Sequence, residues 1–101
     1  MLGFSDRVAV PQHVLVRHLD GETVLLNLDT EKYFGLDATG TRMWQLATLS
    51  PDVETAFEQL IQEFEVEADL LRTHLSQLLE QLVENGLLQV VPADVESIPA
   101  L

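Results

Sequence analysis

The stretch Lys32-Tyr33-Phe34-Gly35-Leu36-Asp37-Ala38-Thr39-Gly40-Thr41-Arg42-Met43-Trp44 constrains the fold more than any other part of the chain. Tyr33 and Phe34 stand side by side with Leu36 two residues on, a composition that suits a pleated, half-buried strand. Asp37 then offers a side-chain oxygen to the first free amides of a helix, and no Pro interrupts the next turns. A strand therefore passes into a helix with almost no loop, and that helix carries the only Trp. The strand half, Lys32 to Leu36, is expected to be an open sheet edge. The helix half is expected to anchor it.

The residues before this stretch read as a hairpin. Val14-Leu15-Val16-Arg17-His18-Leu19 and Thr23-Val24-Leu25-Leu26-Asn27-Leu28 flank Asp20-Gly21, a two-residue turn whose central positions both need positive φ. Such a turn pairs Leu19 with Glu22, Arg17 with Val24 and Leu15 with Leu26. One face then carries Leu15, Leu19, Val24, Leu26 and Leu28, and the other Val14, Val16, His18, Leu25 and Asn27. With Lys32–Leu36 as a third strand, the three form a meander with its first and third strands as edges. Three short strands do not stand alone and must pack on the helices that follow.

Those helices are expected at 38–49, 51–64 and 69–85. Met43, Trp44 and Ala47 give the first its apolar stripe. Pro51 fits the first position of the second, whose Val53, Ala56, Phe57, Leu60, Ile61 and Phe64 recur at helical spacing. Leu71, Leu75, Leu78 and Leu82 form the seam of the third, widened by Leu79 and Val83, and Asn85-Gly86 stops it. Leu87–Val91 returns as a short strand or extended arm. The fold class is therefore α+β: a three-stranded antiparallel sheet, three helices and a short terminal strand, resembling a winged helix-turn-helix. Residues 1–12 are expected to be a loose lead-in, 13–91 the domain, and 92–101 a frayed tail.

Composition narrows the function. The chain has 101 residues, 47% hydrophobic and 22% charged, the profile of one globular domain. No apolar run approaches the ~20 residues that span a bilayer, and the N-terminus lacks the pattern of a signal peptide. The absence of Cys rules out disulfides and thiolate metal sites and is compatible with the cytoplasm. Five Lys and Arg face seventeen Asp and Glu, a net charge of −12, which disfavours nucleic acid and anionic membranes as partners. The acidity keeps a small protein soluble or attracts a basic or amphipathic peptide.

Few side-chain constellations point to chemistry. His13, His18 and His74 show no metal-ligand spacing and read as structural residues. No nucleophile motif and no phosphate loop is present, so neither a catalytic residue nor a metal or cofactor site is expected. Seven acids lie within 51–69, a span without Lys or Arg: a solvated face or a docking face for a basic partner. Gly35 inside a strand marks either a bulge where strand becomes helix or a close approach by another backbone.

Leu26-Asn27-Leu28-Asp29, then Tyr33 through Trp44, and Leu78-Leu79 and Leu82 before Gly86-Leu87-Leu88, resemble the PqqD-like family over roughly residues 13–91. These are precursor-peptide recognition elements of ribosomally made, modified peptides. The Thr-Gly-x-x-x-Trp pattern of Thr39–Trp44 after a strand carries much of the likeness. Tyr33-Phe34-Gly35-Leu36-Asp37 is most similar to the stand-alone leader-binding proteins of lasso-peptide clusters; many other members carry a second aromatic at the position of Gly35 and Asn at that of Asp37. The resemblance implies a non-catalytic adaptor. A leader segment adds as a strand beside Lys32, Tyr33, Phe34, Gly35 and Leu36, in a groove shared with the third helix. One flank of that helix offers Leu70, His74 and Gln77, with Leu71 and Leu78 of the seam beside them, and the other offers Arg72 and Leu79; the sequence leaves the flank open. An apolar pocket of strand and helix residues would take a Tyr and a Pro of the leader. A separate leader peptidase and a cyclase would act next. The alternatives are a peptide chaperone for a radical-enzyme pathway and, in a different class, a winged-helix DNA-binding regulator. Arg72 as the third helix's only Lys or Arg argues against the last.

Overall fold

The computed structural model describes residues 2–91. Its elements are β1 (Arg7–Ala9), β2 (Val14–Leu19), β3 (Glu22–Asn27), β4 (Tyr33–Leu36), α1 (Ala38–Leu49), α2 (Val53–Glu63), α3 (Ala68–Glu84) and β5 (Gln89–Val91). The fold is α+β: β2, β3 and β4 form an antiparallel sheet in that order, and the three helices follow it. The β2–β3 register is the one the Asp20-Gly21 turn dictates, with Leu19 opposite Glu22, Arg17 opposite Val24 and Leu15 opposite Leu26. Both turn residues have positive φ, 51° and 83°.

Three expectations need correction. The stretch expected as a loose lead-in contains a strand. Arg7–Ala9 pairs antiparallel with Gln89–Val91, and Val8 is buried. The carbonyls of Asp6 and Phe4 accept from the Val53 and Glu54 amides at 2.9 and 2.8 Å, so this segment satisfies donors that the start of α2 leaves free. No local periodicity signals a three-residue strand whose partner lies some eighty residues on. Second, Pro51 precedes the helix instead of opening it. Asp52 is the N-cap, its carboxylate accepting from Thr55 N at 2.7 Å. Third, Leu79 belongs to the fully buried seam with Leu71, Leu75 and Leu82, while Leu78 is half-buried at its margin. The tail expected at 92–101 lies outside the described residues.

The inner face of the sheet carries Thr23, Leu25, Asn27 and Leu36, which pack towards Met43, Trp44 and Ala47 of α1 and Leu75, Leu79 and Leu82 of α3 in one core. At the strand–helix corner, Asp37 caps α1 through a 2.8 Å bond from Gly40 N. A Cβ at Gly40 would sit 3.5 Å from the Leu36 side chain and 3.3 Å from the Asp37 carboxylate, so the corner is closely packed there. The Thr41 hydroxyl meets Thr23 Oγ1 at 3.0 Å and Leu36 O at 3.4 Å, fixing the helix to the sheet with buried hydroxyls that satisfy each other.

Candidate functional site

β4 pairs with β3 on one side only. Its start is set by a bulge. Asn27 N donates to Lys32 O at 2.8 Å while Glu31 N donates to Asn27 O at 2.7 Å, so two residues oppose one, and Glu31 takes φ 63°. The bulge thus lies at Glu31. Gly35 sits in unbroken register opposite Val24, with no bulge there, and a Cβ built on it meets nothing within 4 Å.

The register decides which backbone groups are free. Lys32 faces Asn27 as a hydrogen-bonded pair, and such pairs alternate along an antiparallel ladder. Phe34 and Leu36 are therefore bonded to Leu25 and Thr23, while the N–H and C=O of Tyr33 and Gly35 point to the open side. The Lys32 amide is engaged by Thr30 Oγ1 at 3.3 Å. Of the residues expected to offer main-chain partners, Tyr33 and Gly35 have the unpaired groups. Their side-chain positions face outward, where Tyr33 is 75% exposed on the same sheet face as Leu15 and Leu19, which are also exposed.

Leu70 and His74 of α3 line a hollow with Thr39, which follows the end of β4 by three residues. That hollow, of about 590 Å³, is lined by Thr39, Met43, Glu63, Phe64, Glu65, Val66, Leu70, Leu71 and His74. A smaller one of about 240 Å³ is lined by Asn27, Thr30, Lys32, Glu84, Asn85 and Gly86. The Lys32 end of the open strand thus lies by the close of α3, and Thr39, three residues past the end of β4, lies by its start.

The other flank is occupied. Arg72 lies over the rings of Phe4 and Phe57, 4.6 and 4.3 Å from their centroids, and its guanidinium donates twice to Glu54 at 3.3 Å. Leu79 is core. The structure also separates Gln77 from Leu70 and His74: it lines hollows with Phe4, Arg72 and Ser76 and with Glu80 and Glu84 instead. Leu78 packs against the core at the groove's margin. The larger hollow differs from the expected strand-and-helix pocket. It is walled by the first turns of α1, the α2–α3 turn and α3, and no β4 residue lines it.

Two polar clusters hold this geometry. At the smaller hollow, Asn27 Nδ2 donates to the carbonyls of Asn85 at 3.1 Å and Gly86 at 3.4 Å, and its Oδ1 accepts from the amides of Asp29 and Thr30. His13 Nε2 donates to Gly86 O at 3.0 Å. Gly86 has φ 71°, and a Cβ there would lie 2.6 Å from Asn27 Nδ2. Sequence reasoning placed Asn27 on a strand face but missed this role; the signal was a polar residue in step with inward-facing Leu25. At the larger hollow, Arg42 grips Glu63 through two bonds of 2.8 and 2.6 Å. Hydrogen bonds from Arg42 and then Gln59 hold the Glu63 carboxyl down at about 2.

Among the described residues no group of three or more His, Cys, Asp or Glu is placed to hold a metal ion. No helix there is long and apolar enough to cross a membrane.

An α+β domain of winged-helix type, with one sheet edge open along a helix, is the class that fold and site define. The family profile described as "Coenzyme PQQ synthesis protein D (PqqD)" matches residues 22–88. The chain belongs to the PqqD family. Among solved structures it is similar to one described as "TbiB1 in Complex with the TbiA(beta) Leader Peptide", at 34% identity and a TM-score of 0.71, over 80% of this chain and 94% of that one. It is also similar to "Lasso peptide synthetase B1 complexed with the leader peptide", at 25% identity and a TM-score of 0.71, over 82% and 98%. No curated protein matches the chain.

Proposed function

We propose that this protein is a non-catalytic adaptor that binds the leader segment of a ribosomally made precursor peptide by adding it as a strand to β4. The observation that carries this reading is the open edge: Tyr33 and Gly35 turn their main-chain groups to the unpaired side of β4, in step with a regular ladder. Strand addition uses such groups for affinity and leaves selectivity to side-chain pockets. The two similar solved structures, each described as a complex with a leader peptide, support the same reading. They also favour lasso-peptide biosynthesis as the setting.

In this account Tyr33 and Gly35 supply backbone partners, and Lys32, Phe34 and Leu36 hold the strand in place. Leu70, Leu71, His74 and Leu78 form the facing wall, while Gln77 stands outside it. The bound leader is handed to a separate leader peptidase and cyclase in the cytoplasm. The protein supplies position and no chemistry. The alternative of a DNA-binding regulator gains nothing from α3, whose one Arg is held by Glu54.

The test is calorimetry with a synthetic leader from a precursor encoded beside the gene. Micromolar or tighter one-to-one binding is expected. No binding to any neighbouring leader would refute the reading.

A further inference from the structure

The larger hollow is lined by apolar side chains and by two acids. Met43, Phe64, Val66 and Leu70 supply its apolar walls, and Glu63 and Glu65 stand among the lining residues, with no Lys or Arg. Val66, in the α2–α3 turn, and Leu70, in the first turn of α3, are 47% and 48% exposed, bare apolar groups close in the chain. The two acids differ. Glu63 is already neutralised by Arg42. Glu65 is exposed and makes no ion pair among the described residues. The hollow also continues the open edge, because Thr39 on its wall follows Leu36, the last residue of β4, by three positions.

We infer that this hollow recognises an apolar side chain followed or preceded closely by a Lys or Arg in the bound peptide, with Glu65 receiving the cation. This rests on the peptide-binding reading above and names what that peptide must carry. Continuity favours the segment that pairs with β4 as the occupant, since Thr39, three residues past the end of β4, lines the hollow together with Leu70. Charge identifies its chemistry. A chain of net charge −12 repels an acidic peptide, and here it places an unpaired carboxylate beside bare apolar surface. Burial of the apolar residue supplies most of the affinity. The exposed ion pair adds less, but it rejects a peptide with an acid at that place.

The experiment uses the full chain, a fluorescein-labelled synthetic leader from the neighbouring precursor gene, and the same leader with every Lys and Arg changed to Gln. Anisotropy titrations at low and high salt are compared for wild type, Glu65→Gln, Glu65→Lys and Leu70→Asn. We expect Glu65→Gln to weaken the native leader by about threefold, and Glu65→Lys by about tenfold, with the difference shrinking at high salt. The neutral leader should bind more weakly to wild type and be indifferent to both Glu65 changes. Leu70→Asn should weaken both leaders. Unfolding midpoints should be unchanged, as Glu65 and Leu70 are exposed. Native and neutral leaders binding alike, or Glu65→Lys without effect, overturns the inference and leaves the leader-binding reading standing. Absence of binding by the native leader to wild type overturns both.

Discussion

Asn27 donates its side-chain amide to the carbonyl oxygen of Asn85 at 3.1 Å, and this bond ties the end of β3, where it meets Lys32 before the open strand, to the end of α3. One residue thereby sets the width of the groove at its Lys32 end. The same side chain closes the β3–β4 turn through the amides of Asp29 and Thr30. Its opposite number at the Leu36 end is the Thr23–Thr41 pair.

Asn27→Ala should therefore cost about 2–3 kcal/mol in urea unfolding, because it removes a buried residue's bonds to both turn and helix and leaves partners unsatisfied. Asp29→Ala, at an exposed neighbour, should change stability by less than about 0.5 kcal/mol. Equal effects of the two would mean that Asn27 does not hold the groove.

Val8→Ala should destabilise by about 1–3 kcal/mol, a core-sized loss from a residue in the first ten of the chain. A loose lead-in would tolerate it without effect. Chemical denaturation distinguishes the two.

Gly35→Val should leave stability within about 0.5 kcal/mol of wild type, since its Cβ meets open space and the strand there is regular. Gly35→Pro should also fold, because the amide it removes points away from β3. The Pro variant should bind leader at least about tenfold more weakly, having lost a main-chain donor and placed a ring in the path of the incoming strand. Phe34→Pro, which removes an amide bonded to Leu25, should instead unfold the edge.

The pH dependence follows from Glu63. Its carboxyl titrates at about 2 in the folded protein, against 4.5 for an unperturbed Glu. A lowered folded value means stability that is present above the unfolded value and is lost as pH falls from about 4.5 towards 2. Glu63→Gln should flatten the acid limb of the stability profile over that window and lower stability at neutral pH by a small, salt-sensitive amount, since the pair is exposed and screened, with the two proteins converging near pH 2.

Much of this was legible in the chain because the informative residues act locally. Asp20-Gly21 dictates its own turn and with it the β2–β3 register; Asp37 caps the helix it precedes; the apolar spacing from Met43 to Leu82 gives three helices. What was not legible depends on distant partners. β1 exists because β5 offers it bonds and the start of α2 holds Phe4 and Asp6 just before it, and neither partner is near in sequence. The bulge falls at Glu31, a residue with no propensity for positive φ, because Asn27 closes the turn around it. Gly35, which reads as the irregular residue, lies in regular strand. The choice of flank on α3 turned on Arg72, whose engagement with Phe4 and Glu54 brings together three separate stretches of the chain.

Amide hydrogen exchange followed by NMR, with and without saturating leader peptide, tests the central claim most directly. In the free protein the Phe34 and Leu36 amides should be protected and those of Tyr33 and Gly35 should exchange fast. Leader addition should slow Tyr33 and Gly35 markedly and leave Phe34 and Leu36 little changed. A leader that binds while Tyr33 and Gly35 continue to exchange as in the free protein would contradict strand addition at β4.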